Sequence, residues 1–300
     1  MENPTTRSHS RFGMPTTILA APWRWLTRPQ LYGLENVPRD RPFLLVGNHT
    51  VMGLLDAPLL VLEIADRCGI ELRSLGDHVH FRLPGWRTLL ASWGTVEGDR
   101  DNCRALMRSR ESILVYPGGA REVFKRKGEK YQLIWGGRTG FARLAIEHGY
   151  PIVPFGAVGA EECYDILLDA GDVLATPLVG SLLRRLFSRA DEIPPLVRGL
   201  GLTPLPRPQR FYFSFAPSIE TTRFALASDL TAPALAVREL VRASIEAEIA
   251  FLLDERRRDP ERALLPRLAR GVRTLVGANG TGANPPPYAS APRYAGLASP

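Results

Sequence analysis

The chain has 300 residues, 45% of them hydrophobic, and a mean hydropathy of −0.08, values that exclude a disordered chain, a collagen and a polytopic membrane protein. Its three cysteines form no C-x-x-C pair, which argues against a disulfide framework or a zinc ribbon and favours a reducing compartment. A net charge of +7 indicates a polyanionic partner: nucleic acid, an anionic membrane face or a phosphorylated substrate.

The N-terminal segment, residues 1–32, begins with a polar stretch that lacks the apolar core of a signal peptide, so we expect no export. Further along, Trp23 and Trp25 stand among Arg24 and Arg28, a mixture typical of a helix lying flat at a membrane interface. A helix that packs its tryptophans against the domain explains the pattern equally well, and both readings stay open.

Residues 43–62 are the most apolar stretch and have about the length of a membrane span. A span there would carry Asn48, His49 and Asp56 near its middle, and one central Asp alone costs about 2.5–3.5 kcal/mol on insertion. We therefore predict a buried strand that delivers polar residues to a site.

Apolar runs and periodicity predict strands and helices that alternate along the chain. The predicted strands are 43–47, 72–75, 112–116, 152–156 and 211–215, and the predicted helices are 54–67, 138–148 and 234–256. This alternation predicts an α/β fold, with a central mixed sheet flanked by helices, over residues 33–272. Residues 177–208 are expected to form an irregular insertion, and residues 273–300 a disordered tail.

Four segments carry the residues with chemical potential: 47–56, 94–100, 116–122 and 150–155. His49 follows the first strand and is a candidate general base, because imidazole titrates near neutral pH. Gly118 and Gly119 would let backbone amides approach a ligand, while Arg100 and Arg121 would add two cations. Two arginine-bearing loops beside a base suit an anionic substrate and a reaction that forms an oxyanion.

The order of these segments resembles that of the glycerolipid acyltransferase superfamily, the lysophospholipid acyltransferases. That family has the blocks Asn-His-x4-Asp, Gly-x-Ile-x3-Arg, Phe-Pro-x-Gly-x-Arg and Pro-Ile-Val-Pro. The matching residues here are Asn48 and His49, then Gly94, Val96 and Arg100, then Pro117, Gly119 and Arg121, and finally Pro151 to Pro154. The sequences of residues 54–59, 117–122 and 126–131 look closest to a subgroup that includes transmembrane protein 68 and the plant phytyl ester synthases, and borders on diacylglycerol acyltransferase type 2.

The resemblance implies a fold like that of glycerol-3-phosphate acyltransferase and an enzyme peripherally attached to the cytoplasmic face of a membrane. His49 would deprotonate a hydroxyl of a lysophospholipid, a monoacylglycerol or a diacylglycerol, which then attacks the thioester of acyl-CoA or acyl-carrier protein. Substrate binding would fall to the remaining motif residues, namely Asn48, Arg100, Gly118, Gly119 and Arg121. No metal or other cofactor is implied.

Two departures from the family pattern affect the site. Asp56 lies seven residues after His49 rather than five, which on a continuous helix is too far for a hydrogen bond. A turn at Gly53 would bring Asp56 back, and otherwise Glu122 is the alternative partner. The family's usual Glu is Gly118 here, so we expect less negative charge at the site and a neutral acceptor such as a mono- or diacylglycerol.

A second set of residues suggests other kinds of site. Asp77, His78 and His80, together with His49, could form a metal site, but no further spaced ligand supports one. A basic stretch that precedes aromatic residues contains Lys125, Arg126 and Lys127. Such a stretch can bind single-stranded nucleic acid, an anionic bilayer or the phosphates of CoA, or it can be a solvated surface loop. Next to an acyltransferase site, we expect membrane or CoA contact and no nucleic acid.

Two other functions fit the same scaffold. One is a non-catalytic peripheral lipid-binding protein. The other is a hydrolase of lipids or thioesters, in which water replaces the acceptor hydroxyl. The joint presence of His49, Arg100 and Arg121 favours a working enzyme over a decayed one.

Overall fold

The structure is a computed structural model that describes residues 14–53, 55–77, 81, 85–186 and 193–269. The strands in these ranges are β1 Gln30–Tyr32, β2 Leu44–Gly47, β3 Leu72–Gly76, β4 Thr95–Glu97, β5 Ser112–Val115, β6 Ile152–Val158, β7 Asp165–Leu168, β8 Leu196–Arg198 and β9 Tyr212–Phe215. The helices are α1 Met14–Thr27, α2 Ala57–Cys68, α3 Trp86–Ser92, α4 Arg100–Arg108, α5 Ala120–Val123, α6 Gly140–His148, α7 Ala170–Ala175, α8 Pro177–Leu186 and α9 Thr231–Arg258.

Seven strands form one mixed sheet in the order β1-β9-β6-β2-β5-β3-β4. The five strands from β6 to β4 run parallel, while β9 is antiparallel to β6 and β1 is parallel to β9. Strands β7 and β8 make a separate antiparallel pair. The predicted α/β class with a central mixed sheet is confirmed.

The middle of this sheet is buried on both faces, which is why its strands read as continuous apolar runs. In β2, Leu44 and Val46 point into a core shared with α4, α6 and α9, whereas Leu45 points into a second core that includes α2. All three side chains are fully buried. Neighbouring strands therefore hold the end of β2 firmly in place.

Two parts of the chain are more regular than the sequence indicated. Strand β4 lies inside residues 94–100, which the sequence predicted to be an arginine-bearing loop, and it is short, half-exposed and at the sheet edge. Residues 177–208, expected to be irregular, contain α8 and β8. The tail at residues 273–300 lies outside the described residues, as do residues 1–13.

The two tryptophans of helix α1 differ in burial: Trp23 packs against the domain, and Trp25 is largely exposed. The Trp23 indole N–H donates to the Leu55 carbonyl at 3.2 Å, and its ring meets Phe211 edge-on. Trp25 is 58% exposed. Over the described residues, every helix is too short or too polar to cross a bilayer.

Candidate active site

The two motif loops that carry His49 and Glu122 lie side by side because their strands are neighbours. Strands β2 and β5 pair in parallel, with Val46 opposite Val115, so both end at the same edge of the sheet. In open α/β sheets, ligands bind outside the carboxyl ends of the strands. The sheet topology therefore brings the first and third motif blocks together.

Asn48 ties the first loop to the neighbouring strand β6. Its side-chain amide donates to the Ala157 carbonyl at 2.9 Å, and its side-chain oxygen accepts from the Ala157 N–H at 2.7 Å. The residue is fully buried. Asn48, expected to bind substrate, thus has both ends of its amide occupied by the backbone.

The imidazole of His49 is packed between an aromatic ring and a glycine. It stacks on Tyr116 with the ring centroids 4.0 Å apart and the planes 9° from parallel. On its edge, a Cβ added to Gly53 would lie 2.6 Å from the imidazole Cε1. Close packing of this kind restricts the ring to one orientation.

Glu122 contacts the backbone of His49. One carboxylate oxygen accepts from the His49 N–H at 3.1 Å, and the other accepts from the Ile134 N–H at 2.8 Å. Burial raises the pKa of this fully buried carboxyl, and the nearby Lys125 cation opposes the rise. Both oxygens therefore fix main chain, and the structure gives Glu122 a backbone-holding geometry.

Gly118 leaves room for the Glu122 side chain. A Cβ added at Gly118 would lie 2.2 Å from the Glu122 Cδ. The expected loss of negative charge at position 118 is thus offset, because the carboxylate of Glu122 occupies the adjacent space. This observation removes the sequence argument that charge alone favours a neutral acceptor.

Asp56 does not continue a helix from His49. The Gly53 N–H donates to the Thr50 carbonyl at 3.0 Å, and α2 begins only after Asp56, so the chain turns between the two residues. Burial raises the pKa of Asp56 to about 6, while Thr50 and the backbone N–H groups of Asp56 and Ala57 oppose the rise. The charge of Asp56 in turn raises the pKa of the Tyr116 phenol, after burial itself.

The two motif arginines lie in different surroundings. Arg100 is exposed at the start of α4, after the edge strand β4 and two strands away from β5. Arg121 is only 18% exposed and hydrogen-bonds to the carboxylate of Glu129. The structure thus brings Arg121, but not Arg100, into the same turn as Glu122.

Arg138 was missed by sequence reasoning and supports the third block from behind. Its guanidinium donates to the carbonyl of Pro117 at 3.0 Å and to that of Gly118. Phe155 ends the fourth segment but has no predicted role, although its ring meets Tyr116 edge-on and would collide with a Cβ at Gly47. Arg138 lies outside the four segments and Phe155 is an apolar residue at the end of the fourth, so no local signal predicts these contacts.

The predicted basic contact surface is smaller than expected. Lys125 is fully buried and forms an ion pair with Glu161, so its ammonium does not face a membrane or CoA. Arg126 and Lys127 are exposed, and the Lys127 ammonium lies 2.8 Å from the Asp172 carboxylate. The expectation of surface contact therefore applies only to Arg126 and Lys127.

A cavity of about 600 Å³ lies at the β4 edge of the sheet, near the second motif block. Its lining includes Phe81, Arg87, Ala91, Val96 and Glu97. Within the described part of the chain, no group of three or more His, Cys, Asp or Glu side chains could hold a metal ion. His78 and His80 lie outside that part.

The sequence is similar to a protein family and to several known enzymes. Residues 28–158 match the family model described as Acyltransferase. Phytyl ester synthase 2 of Arabidopsis thaliana is 32% identical over 257 residues, covering 78% of this chain and 36% of that protein. The DGAT1/2-independent enzyme synthesizing storage lipids of Homo sapiens is 33% identical over 125 residues, covering 42% of this chain and 38% of that protein.

A crystal structure of the 1-acyl-sn-glycerophosphate (LPA) acyltransferase of Thermotoga maritima is 16% identical, with a TM-score of 0.43, over 77% of this chain and 79% of that one. The chain spans little more than a third of the length of the plant and human relatives. The region matched by the family model contains all four motif blocks, so the resemblance is confirmed. The chain carries a domain of the acyltransferase family.

Proposed function

We propose that this protein is an O-acyltransferase that moves a fatty acyl group from a thioester donor to a hydroxyl group of a lipid. The observation that carries this proposal is the fixed geometry of His49. Its ring is stacked on Tyr116, and its backbone N–H is held by the buried Glu122. A general base must be pre-oriented toward the proton that it removes, and this arrangement supplies that orientation.

In the proposed reaction, the imidazole of His49 takes the proton of the acceptor hydroxyl while the oxygen attacks the thioester carbonyl carbon. A carbon–oxygen bond forms, the carbon–sulfur bond breaks, and the imidazolium returns the proton to the departing thiolate. Asp56 is fully buried and follows the turn after His49, and its charge stabilises the imidazolium. Glu122 holds the main chain of His49 through its backbone N–H.

The motif residues and the names of the relatives support a class of acceptor. We infer that Arg100, Arg121 and the Gly118–Gly119 turn bind the polar end of a glycerolipid. The relatives are named for phytyl ester and storage lipid synthesis, so a long-chain alcohol and a diacylglycerol join lysophosphatidic acid as acceptors to test. The donor is acyl-CoA or acyl-carrier protein.

The decisive experiment is a radiolabelled acyl transfer assay with purified wild type and His49→Ala. General base catalysis contributes about 10²–10⁴-fold, so we expect the variant to lose at least about 100-fold in kcat. Equal activity in both proteins would contradict the catalytic proposal. Free fatty acid released without an acylated lipid would indicate a hydrolase, and lipid binding without turnover in the wild type would indicate a non-catalytic lipid-binding protein.

We also propose that the protein works peripherally at the cytoplasmic face of a membrane, with Trp25 in contact with lipid. Trp25 is 58% exposed, whereas Trp23 packs on Phe211. Trp25→Ala is expected to reduce pelleting with anionic vesicles several-fold without changing Tm. The matched control, Trp23→Ala, is expected to lower Tm instead. Unchanged pelleting by Trp25→Ala would contradict this assignment.

A further inference from the structure

A buried ion pair involves a residue that follows Glu122 closely in the chain. Lys125 and Glu161 are both fully buried, and the ammonium of Lys125 donates to one Glu161 carboxylate oxygen. The other Glu161 oxygen accepts from the Tyr131 N–H at 2.7 Å. Removing two charges from water is costly, so a pair this deep needs a structural or functional reason.

The pair is connected to His49 through Glu122. Lys125 follows Glu122 by three residues, just after α5, and its cation is the main influence that opposes the burial of the Glu122 carboxylate. Glu122 accepts from the N–H of Ile134, and Glu161 from that of Tyr131, so both carboxylates hold the same short segment of chain. The short segment 131–134 therefore links Glu161 to Glu122, and Glu122 links that segment to the main chain of His49.

Charge balance shows what Lys125 contributes. Asp56, Glu122 and Glu161 are three buried carboxylates, and the charge of Glu161 disfavours ionisation of the other two. A carboxylate that accepts two N–H groups holds them best when it is ionised, since hydrogen bonds to charged groups are stronger than neutral ones. The Lys125 cation favours that ionised state.

We propose that the Lys125–Glu161 pair is a positioning device for the reaction, which acts through Glu122 to hold the His49 loop in its reactive geometry. This inference rests on the proposed function. Neither Lys125 nor Glu161 contacts substrate in this proposal, whereas Arg100 and Arg121 do. The competing explanation is that the pair serves folding alone.

Replacing both partners separates the two explanations. A single change leaves one buried charge without its counter-ion and destabilises the fold, whereas an apolar pair of similar volume is often neutral in stability. We therefore compare Lys125→Met/Glu161→Leu and Lys125→Gln/Glu161→Gln with wild type, using kcat, KM and Tm. In whichever double variant has a wild-type Tm, we expect kcat to fall at least tenfold and KM to change less than twofold.

A double variant with both a wild-type Tm and a wild-type kcat would overturn the positioning role. If both double variants have a lowered Tm, the Glu122→Gln background decides, because a pair that acts through Glu122 loses its effect there. Adding either double replacement to Glu122→Gln is then expected to change kcat less than twofold, and an additive tenfold loss would contradict the proposal. His49→Ala in the same assay reports on the proposed function itself, so failure of that function is distinguishable from failure of the positioning role.

Discussion

The second and third motif blocks have the same local design but very different surroundings. The second block contains the parallel strand β4 and the third follows the parallel strand β5. Each then makes a glycine-containing turn and carries an arginine at or near the start of a short helix. In the third block, Gly118 and Glu122 are buried, whereas in the second block Gly98 and Arg100 are exposed. The cause is sheet position: β5 lies between β2 and β3, and β4 is at the edge.

This difference indicates a division of labour between the blocks. A turn in the middle of the sheet is enclosed by neighbours on both sides, so it can hold a catalytic group in one geometry. A turn at the edge has neighbours on one side only and stays open to solvent and to large ligands. We expect the third block to control kcat and stability, and the second block to control substrate affinity.

The largest expected effect comes from filling the buried glycine. Gly118→Ala would place a Cβ against Glu122 and displace the carboxylate from the His49 N–H. Overpacking and loss of a charged hydrogen bond together predict about 4 kcal/mol of lost unfolding free energy and roughly a 10–100-fold fall in kcat. Urea unfolding and the acyl transfer assay measure the two effects.

The matched change in the second block is Gly94→Ala. Gly94 has a left-handed backbone (φ +73°), but a Cβ there would meet nothing closer than 3.6 Å. We expect only the backbone cost, about 1 kcal/mol, and an unchanged kcat. Equal losses of kcat in the two variants would remove the distinction between the blocks.

A second prediction uses pH to compare a buried carboxylate with an exposed one. The pKa of Asp56 is raised from its ordinary value of 3.8 to about 6, so ionising it costs the folded state stability as pH rises from about 4 to about 6. Asp56→Asn avoids that loss. Its unfolding free energy is expected to equal that of wild type near pH 4 and to exceed it by on the order of 3 kcal/mol above pH 7.

The control for this change is Asp101→Asn, because Asp101 is 93% exposed in α4. It is expected to alter unfolding free energy by less than about 0.5 kcal/mol at every pH. If Asp56 stabilises the imidazolium, Asp56→Asn also loses kcat while it gains stability. A stability gain that does not depend on pH would contradict the origin in burial.

The smallest expected effect on stability concerns the two arginines. Arg121→Ala removes the ion pair with the half-buried Glu129 and is expected to cost about 1 kcal/mol of unfolding free energy. Arg100→Ala is expected to change stability by less than about 0.5 kcal/mol, yet to raise the KM for a phosphate-bearing acceptor several-fold. Thermal unfolding and acceptor titration test both statements, and a reversed pattern would refute them.

Local sequence was sufficient for the central strands and for the residue types at the site. Strands β2, β5 and β6 were predictable because burial on both faces demands continuous apolar runs. Strand β4 was not, since a three-residue edge strand with half-exposed side chains carries little pattern. The turn between His49 and Asp56 was predictable from Gly53, because glycine accepts its left-handed backbone.

The roles of individual side chains were harder to predict than their presence. The motif predicts that Asn48 binds substrate, and the local charge predicts that Lys125 lies at the surface. Their actual partners, Ala157 and Glu161, lie 109 and 36 residues away in the chain. Partners at such distances leave no periodic trace in the sequence.

The sequence by itself determined the α/β class, the order of the four motif blocks and the chemical types that they supply, because these follow from burial patterns and local spacing. Only the tertiary structure decided which partner each side chain contacts. Glu122 binds the backbone of His49, Gly118 leaves space for that carboxylate, and Lys125 is a buried cation. The reason is that hydrogen bonding and burial depend on groups that folding brings together from distant strands.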